Sequence, residues 1–281
     1  MNLTNLSAIR EIADKFGFTF SKSLGQNFLI NPSVCPRIAE MGGADENTGV
    51  IEIGAGFGVL TQELAKRAKK VVAVELDSRL IPVLQYTLAD YDNVKVINED
   101  VLKVDLPGLI AEEFPGMEVV VCANLPYYIT SPIIMALLEQ RLPIKAVTVM
   151  VQKEAGDRLC APMPSRECGA VTAAVRYYSE PKVLFPVSRG SFCPAPNVDS
   201  MVIRLDVKDA LPLQPEEEKT LFRVVKAAFG QRRKTLPNTL SAGLGISKAE
   251  AAEKLAAAGL KPTARAEELS MEQICRLAKE F

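Results

Sequence analysis

The sequence predicts an α/β protein in which a parallel β-sheet carries helices on both faces and is followed by a small all-α C-terminal domain. From residue 50 onward, short apolar runs alternate with helical stretches, which is the pattern of repeated β–α–β units. Beyond the proline-containing segment 209–215 the strand-like runs stop, and the pattern is helical to residue 281. We therefore expect one domain over residues 1–207 and a helical domain over residues 208–281.

The elements follow in chain order from apolar spacing and turn residues. A short amphipathic helix is predicted within the first 20 residues, and a second helix from Pro32 to about Met41 with Asn31 as its N-cap. Apolar runs predict parallel strands at 50–53, 71–74, 94–97, 119–123 and 146–151. Helical spacing predicts helices at 60–68, 79–89, 106–113, 132–140, 216–229, 236–242, 248–258 and 271–279. Two β-rich segments, 176–185 and 200–207, predict an antiparallel strand at the sheet edge.

Composition limits the classes of function. Hydrophobic residues make up 48% and charged residues 24%, which predicts a sizeable core. The formal net charge is −1, so positive charge for nucleic-acid binding must be local. Six scattered cysteines without a Cys-x-x-Cys pair, and no histidine, predict no metal site and exclude Ser-His-Asp or Cys-His catalysis. We expect reduced thiols, a cytoplasmic location and no membrane segment, since neither a signal peptide nor a long apolar run is present.

A glycine-rich segment, Glu52–Gly58, ends the first strand of the alternating region and opens a helix. Glycine allows a tight turn and a close approach of the backbone to a ligand, which the helix N-terminus then faces. A dinucleotide fingerprint would read Gly-x-Gly-x-x-Gly, whereas the third glycine comes one residue earlier in this segment. The spacing favours S-adenosylmethionine as the ligand of Gly54 and Gly56, with a generic glycine turn as the alternative.

Acidic residues stand at the ends of the next two predicted strands. Glu75 can accept hydrogen bonds from both hydroxyls of a ribose, as an acid at this position does in dinucleotide folds. Asp100 can accept a hydrogen bond from an adenine amino group. Because ligands of parallel sheets lie outside the carboxyl ends of the strands, both acids predict a nucleoside cofactor beside the glycine turn. A helix cap or turn residue is the alternative for both, and for Asp77 we favour the cap.

The segment Asn124–Tyr127 follows the buried run 119–123 and combines an amide, a proline and an aromatic ring. The Asn124 side-chain oxygen and the Leu125 carbonyl can accept the two N–H bonds of an exocyclic amine on a flat base. Pro126 fixes the turn, and Tyr127 can stack on the base. These four residues predict the catalytic turn, although an ordinary Asn-x-Pro turn after a strand has the same sequence.

The densest basic run is Arg232, Arg233 and Lys234, just before a predicted helix. Cations at a helix N-terminus oppose the helix dipole, so we favour contact with nucleic-acid phosphates over an ordinary surface patch. Further basic residues predicted to extend this phosphate-contacting track are Lys22, Lys153, Arg158, Arg166, Arg189 and Arg204.

Several short sequence motifs, taken in their order along the chain, carry a family resemblance. The matching segments are 23–29, 52–61, 74–77, 99–100, 124–127, 151–154, 192–200 and 228–236. They cover nearly the whole chain, and together they resemble the ribosomal RNA adenine-N6 dimethyltransferase family. That family modifies two adjacent adenosines near the 3′ end of small-subunit ribosomal RNA.

The resemblance implies a Rossmann-like S-adenosylmethionine-dependent methyltransferase sheet, with S-adenosylmethionine as the cofactor. It implies cofactor contacts by Asn27, Leu29, Gly54, Glu75, Asp100 and Asn124. It also implies that Phe192 closes the acceptor pocket opposite Tyr127, with a core-anchoring role as the alternative. The sequence departs from the family at Cys168, where relatives commonly carry an aromatic residue, so no contact of that aromatic side chain carries over.

The predicted function is therefore dimethylation of two adjacent adenosine N6 amines in the 3′-terminal hairpin of small-subunit (16S) ribosomal RNA, late in subunit biogenesis. The predicted partner is the immature small ribosomal subunit, and we expect a monomer without metal. One alternative is a large-subunit ribosomal RNA adenine-N6 methyltransferase of the macrolide-resistance type. Others are a non-catalytic ribosome-assembly or transcription factor on the same fold and, more distantly, a dehydrogenase.

Overall fold

A computed structural model describes residues 2–19 and 28–281, and the chain divides into two compact units. The first unit extends to Gly156 and resumes from Lys182 to Val207, and the second comprises Asp157–Pro181 and Lys208–Phe281. The boundary expected at residue 208 is one of the junctions between the units. Residues 157–181, which we expected in the first domain, group instead with the C-terminal helices.

Most strands and helices lie close to the predicted positions, whereas the two helices between residues 153 and 178 and the two-residue strands at 28–29 and 192–193 were not predicted. The strands are β1 (Phe28–Leu29), β2 (Thr48–Ile53), β3 (Lys70–Glu75), β4 (Val94–Asn98), β5 (Glu118–Asn124), β6 (Ala146–Gln152), β7 (Ser179–Val187), β8 (Phe192–Cys193) and β9 (Ser200–Val207). The helices are α1 (Leu6–Lys15), α2 (Val34–Met41), α3 (Val59–Ala65), α4 (Ile81–Thr87), α5 (Leu106–Glu113), α6 (Thr130–Glu139), α7 (Lys153–Leu159), α8 (Ala170–Tyr178), α9 (Pro215–Ala228), α10 (Leu236–Leu244), α11 (Lys248–Ala257) and α12 (Met271–Ala278). Short 3₁₀ turns occur at Ser78–Leu80, Tyr127–Ile129, Arg189–Ser191 and Ala266–Glu268.

A seven-stranded sheet with the order β4-β3-β2-β5-β6-β9-β7 organises the first unit. Strands β2 to β6 are parallel, and β9 is antiparallel to β6. The chain builds outward from β2 to β4 and then returns to place β5 on the other side of β2. This reversal separates the connections that leave the carboxyl ends of β2 and β5, and open sheets bind their ligands at such a switch point.

Burial explains why these strands read as continuous apolar runs. Every residue of β2 is buried, β5 is buried except at its two end residues, and β6 is buried except at its last residue, as expected for central parallel strands covered on both faces. One hydrophobic cluster joins α2 and α3 to the sheet through residues such as Ile38, Leu64 and Val120. The packed core therefore holds the carboxyl ends of the central strands in fixed register.

The structure corrects several expectations. Arg176–Tyr178, which we expected to be β-rich, forms the last turn of helix α8. The antiparallel strand β9 lies inside the sheet, and β7 is the edge strand. Helix α2 begins at Val34 with Ser33 as its N-cap residue, whereas the Asn31 side chain accepts the Ser33 N–H over 3.0 Å in the turn that precedes the helix.

The second unit is helical. Tyr177 is fully buried and donates its hydroxyl hydrogen to Glu218 over 2.8 Å. Its ring packs edge-on against Tyr178 and Phe222, with ring centroids 4.9 and 5.6 Å away. Aromatic pairs at such distances stabilise a core beyond the area they bury. The tyrosines of α8 are therefore core residues of this unit.

Candidate active site

A cavity opens at the carboxyl ends of the parallel strands in the first unit. It is lined by residues that follow β2, β3, β4 and β5, and by residues of β1 and β8. The predicted site residues among its walls are Leu29, Gly54, Gly56, Glu75, Asp100, Asn124, Leu125, Pro126, Tyr127 and Phe192. Four strand ends and one small antiparallel ladder thus bring together side chains that are distant in sequence.

The glycine turn after β2 has a backbone that favours glycine. Gly54 and Gly56 have φ values of +76° and +59°, in the left-handed region that other residues rarely adopt. A Cβ atom added to Gly56 would meet no described atom within 4 Å, and one added to Gly54 would lie 3.9 Å from the Asn124 carbonyl oxygen. The turn therefore exposes backbone at the cavity wall, where a ligand can approach closely.

Glu75 is held at the end of β3 by backbone donors. One carboxylate oxygen accepts the Gly56 N–H and the other accepts the Asp77 N–H, each over 2.9 Å. The Asn98 amide donates to the Glu75 carbonyl oxygen over 2.8 Å and so joins the end of β4 to the end of β3. Burial raises the pKa of the carboxyl, and the backbone hydrogen bonds from Asp77 and Gly56 oppose that shift. Each oxygen keeps lone-pair capacity for a ribose hydroxyl.

Asp77 does what we expected of a cap. Its side chain accepts the Arg79 N–H over 3.1 Å at the start of the 3₁₀ turn. The Arg79 guanidinium also pairs with the same carboxylate, with a distance of 2.6 Å between Nη2 and Oδ2. Asp77 thus fixes the chain just beyond Glu75.

Asp100 lies partly buried after β4. Its Oδ1 accepts the Leu102 N–H over 3.1 Å, and its own N–H donates to Glu99 over 3.0 Å. Its Oδ2 atom takes no hydrogen bond from any described residue. The turn is therefore fixed while one carboxylate oxygen at the cavity wall remains able to accept a ligand hydrogen bond.

Glu52 is a buried acid in the same wall, only 1% exposed. Its Oε2 atom has no hydrogen-bond partner among the residues that the structure describes. Burial raises the pKa of this carboxyl to about 8, and the nearby Glu75 carboxylate adds to the shift. The carboxyl is therefore largely protonated at neutral pH when no cation lies beside it.

The predicted catalytic turn forms the next part of the wall. Asn124 is the last residue of β5, and its side-chain amide makes no hydrogen bond with the described residues. The Pro126 carbonyl accepts the Ile129 N–H over 3.2 Å, which closes the 3₁₀ turn. The Tyr127 hydroxyl lies 2.7 Å from the Ser200 hydroxyl oxygen, within hydrogen-bonding distance. A free amide oxygen therefore stands beside an aromatic ring that is anchored to β9.

Phe192 lies in the hydrophobic core and also forms part of the cavity wall. It is 4% exposed and belongs to the main hydrophobic cluster, yet it also lines the cavity. Its partner in the β1–β8 ladder is Leu29. The adjacent Ser191 carbonyl accepts the Ile30 N–H over 2.8 Å. The ladder brings the segment before α2 to the loop after β7.

The polar groups in the cavity wall suit S-adenosylmethionine. The carboxylate of Glu75, the open backbone at Gly56 and the Oδ2 atom of Asp100 offer contacts for a ribose, for the chain attached to it and for an adenine amino group. Glu52 supplies a carboxyl that can ionise beside a cation. Asn27 and Lys22 lie outside the described residues.

Other wall residues were not predicted. Phe57, inside the glycine turn, packs edge-on against Phe18 and Phe28 at centroid distances of 5.4 and 4.7 Å. Cys35 and Tyr128 also line the cavity. Tyr128 directly follows the predicted turn, which was an available signal, whereas no sequence pattern indicated Cys35.

The predicted RNA-binding residues fall into two groups. Arg232 and Arg233 line a surface cavity of the second unit, and exposed Lys234 follows them. The other walls of this cavity are Pro164, Ser165, Arg166, Arg265, Glu267 and Glu268. The Arg232 guanidinium donates to the Arg166 carbonyl oxygen over 2.5 Å. Arg265 was missed because no other basic residue flanks it.

Three described basic residues of the predicted track, Lys153, Arg189 and Arg204, belong to the first unit. Lys153 is exposed at the start of α7, where its N–H donates to the Asp199 carbonyl oxygen over 3.0 Å. The Arg204 guanidinium is bound to Asp206 over 2.6 Å and to the Met41 carbonyl oxygen over 2.7 Å. Arg204 therefore has a structural role within its own unit.

Cys168 is buried in the second unit, and its thiol lies 4.0 Å from the Glu267 carbonyl oxygen to which it donates. The side chain therefore packs inside this unit.

Over residues 2–19 and 28–281, no helix is both long and apolar enough to span a bilayer. In that part of the chain, no three side chains of the metal-binding types cluster as a metal site would require.

Comparisons with known proteins identify related sequences over most of the chain. The family model for "Ribosomal RNA adenine dimethylase" matches residues 17–281. A "Ribosomal RNA small subunit methyltransferase A" of Geobacillus thermodenitrificans is 50% identical over 273 residues, which is 96% of this chain and 93% of the relative. The protein of the same name from Bacillus licheniformis is 53% identical over 232 residues, covering 82% of this chain and 80% of the relative.

Two solved structures share the fold over most of the chain. A dimethyladenosine transferase from Plasmodium falciparum superposes with a TM-score of 0.72 and 26% identity, covering 89% of this chain and 95% of the other. The 23S rRNA methyltransferase ErmE gives a TM-score of 0.70 and 26% identity, covering 90% and 99%. With the family model matching all but the first residues, the chain belongs to the ribosomal RNA adenine dimethylase family.

Proposed function

We propose that this protein transfers methyl groups from S-adenosylmethionine to the N6 amines of two adjacent adenosines in the 3′-terminal hairpin of small-subunit ribosomal RNA. One observation carries the proposal. The free amide of Asn124 shares a cavity with the acids Glu75 and Asp100, which stand where a nucleoside cofactor needs acceptors. A hydrogen-bond acceptor for an amine thus lies beside a cofactor site.

The cofactor supplies an electrophilic methyl group on a sulfonium centre. Glu75 would accept from the ribose hydroxyls, and Asp100 from the adenine amino group. Gly54 and Gly56 would leave room for the chain that carries the sulfonium. Leu29 would close the wall beside them. These residues bind and orient, and orientation of two reactants is itself a large catalytic effect.

The residues after β5 hold the acceptor. The lone pair of an adenine N6 amine is delocalised into the ring, so the free base is a poor nucleophile. The Asn124 side-chain oxygen and the Leu125 carbonyl oxygen accept its two N–H bonds, which favours a pyramidal nitrogen with an available lone pair. Pro126 fixes this turn, and the rings of Tyr127 and Phe192 hold the base after it leaves its stack.

No base is required before methyl transfer, because the amine keeps its hydrogens until the new bond has formed. The extra proton is then acidic and passes to solvent. After the first methylation one N–H remains for Asn124 or Leu125 to hold. The same turn can therefore serve the second methylation.

The small-subunit substrate is favoured over the large-subunit one. Relatives named for the small subunit are 48–53% identical to this chain, whereas ErmE is 26% identical. Arg232, Arg233 and Lys234 would contact RNA phosphates from the second unit, and Lys153 from the first. We infer that the protein acts as a monomer on an immature small subunit in the cytoplasm.

The test is mass-spectrometric mapping of dimethyladenosine in ribosomal RNA from cells with and without this protein. We expect two adjacent dimethyladenosines near the 3′ end of the small-subunit RNA only when the protein is present. Purified protein should methylate undermethylated small-subunit particles and leave large-subunit RNA unmodified. Methylation confined to large-subunit RNA would overturn the substrate assignment, and binding of small subunits without any methylation would favour an assembly factor.

A further inference from the structure

Tyr128 is the most exposed large hydrophobic residue of the described chain, with 60% of its surface accessible. It nevertheless lines the cavity that contains Asn124 and Glu75. Within residues 2–19 and 28–281, its side chain makes no hydrogen bond, ion pair or ring contact. An exposed aromatic ring at the rim of a ligand cavity is typical of a binding residue.

The local backbone explains why two consecutive tyrosines differ. Residues Tyr127–Ile129 form a 3₁₀ turn, in which consecutive side chains project about 120° apart. The hydroxyl of Tyr127 is fixed at 2.7 Å from that of Ser200, so its ring is held over the cavity. Tyr128 must then project from the other side of the turn, toward solvent at the rim.

We propose that Tyr128 stacks on the nucleotide next to the target base, which in this substrate is the second of the two adjacent adenosines. The inference rests on the proposed function. A base that enters the cavity loses its own stacking partners, and the sugar–phosphate backbone keeps its neighbour at the rim. Stacking of a base on an aromatic side chain commonly strengthens binding by about fivefold to 100-fold.

Stacking also suits a site that must act on two neighbours in turn. It uses the face of the base and makes no demand on the N6 amine, so dimethylation of the neighbour leaves it intact. The tyrosine hydroxyl is not needed for such a contact. The Tyr128→Phe variant should therefore keep the stacking contact, whereas Tyr128→Ala should lose it.

The test compares the wild type with Tyr128→Ala and Tyr128→Phe on small-subunit particles reconstituted with two kinds of RNA. One RNA carries both adenosines, and the other has an abasic residue in place of one of them. Tyr86→Ala is the matched control, because Tyr86 is also an exposed tyrosine, at 39%, but does not line the cavity. The readouts are KM for particles, kcat, and the affinity for S-adenosylmethionine.

We expect Tyr128→Ala to raise KM for the normal particle at least about fivefold, while Tyr128→Phe and Tyr86→Ala stay within about twofold of the wild type. For the wild type, KM for the abasic particle should exceed KM for the normal particle by a similar factor. For Tyr128→Ala, the two particles should give the same KM, because the variant and the abasic residue remove the same contact. The affinity for S-adenosylmethionine should not change.

Equal KM values for the wild type and Tyr128→Ala would overturn the proposal, as would independent losses from the variant and from the abasic residue. A loss of cofactor affinity in Tyr128→Ala would assign the ring to the cofactor instead. If the wild type methylates no small-subunit particle, the proposed function itself fails and this inference fails with it. If the wild type methylates the particle and Tyr128→Ala has the same KM, the stacking role of Tyr128 is rejected while the proposed function stands.

Discussion

Gly56 donates its backbone N–H to the Glu75 carboxylate over 2.9 Å, which ties the glycine turn after β2 to the end of β3. The second oxygen of Glu75 accepts the Asp77 N–H at the same distance. The carboxylate therefore positions two backbone segments as well as offering acceptors to a ligand. Loss of its charge should affect both the turn and the cofactor.

The first prediction concerns Glu75→Gln. The glutamine NH₂ group would face one of the two backbone donors, from Gly56 or Asp77, and leave it unsatisfied. We expect the free energy of unfolding to fall by about 1–3 kcal/mol. Affinity for S-adenosylmethionine should fall at least about tenfold, measured by calorimetry. Glu118→Gln makes the same charge change on an exposed residue at the start of β5, the end of that strand away from Asn124. It should alter neither the free energy of unfolding nor the affinity for S-adenosylmethionine.

The second prediction concerns Asn124→Ala. Because the side-chain amide forms no hydrogen bond within the described protein, its removal should leave the free energy of unfolding nearly unchanged. Methyl transfer should fall about 100-fold or more, since the amine is no longer oriented. The measurement is single-turnover transfer on particles, together with particle binding, which should persist. Asn47→Ala, an exposed change before β2, should retain activity, and transfer at the wild-type rate by Asn124→Ala would refute the role of the amide.

These residues show what local sequence could predict. Strand ends, the glycine turn and Asn124–Tyr127 each lie within one short segment, so their positions follow from periodicity and turn chemistry. The pairing of Leu29 with Phe192 joins segments that are far apart in sequence, and no local pattern predicts such a pairing.

The error at Arg176–Tyr178 has a different cause. Two consecutive tyrosines have a high β propensity, but burial of Tyr177 against Phe222 stabilises a helix instead. Tertiary packing decided the outcome, and its partners lie in a helix that follows much later in the chain. The assignment of residues 157–181 to the second unit depends on the same kind of contact.

The third prediction concerns Phe57→Leu. Phe57 holds Phe18 and Phe28 against the glycine turn through two edge-on ring contacts. We expect a loss of about 1–3 kcal/mol in urea unfolding and a weaker affinity for S-adenosylmethionine. Phe114→Leu is the control, because Phe114 is also buried but packs against Gly49, near the start of β2. It should lose stability without losing cofactor affinity, and equal affinity losses in both variants would show a general effect of destabilisation.

The fourth prediction concerns the arginines of the second unit. Replacing Arg232 and Arg233 by alanine should weaken binding to RNA and reduce the salt dependence of that binding. The slope of log K against log salt should fall by about 1 to 2, as expected when one or two phosphate contacts are lost. Arg223→Ala, an exposed change on α9 outside the arginine-lined cavity, should keep the wild-type slope. An unchanged slope in the double variant would place RNA elsewhere on the protein.

The fifth prediction concerns Glu52 and pH. Burial raises the pKa of its carboxyl from 4.5 to about 8, so the folded protein keeps a proton that the unfolded chain releases in this interval. More protons bound in the folded state mean that the free energy of unfolding falls as the pH rises from about 4.5 to 8. The slope is at most about 1.4 kcal/mol per pH unit. Glu52→Gln lacks this titration, so its stability should change less with pH.

The surroundings of Glu52 make this difference measurable. Burial also raises the pKa values of the neighbouring thiols, that of Cys122 to about 12 and that of Cys35 further, so both stay protonated in this range. Glu75 also has a raised pKa and adds a similar dependence, but it is present in both proteins and cancels in the comparison. The measurement is urea unfolding of the wild type and of Glu52→Gln between pH 5 and pH 9, without cofactor. The difference between their free energies of unfolding should grow as the pH rises, and Glu52→Gln should be the more stable of the two at pH 9. The exposed change Glu46→Gln should follow the wild type, and parallel curves for the wild type and Glu52→Gln would mean that Glu52 is already ionised in the folded protein.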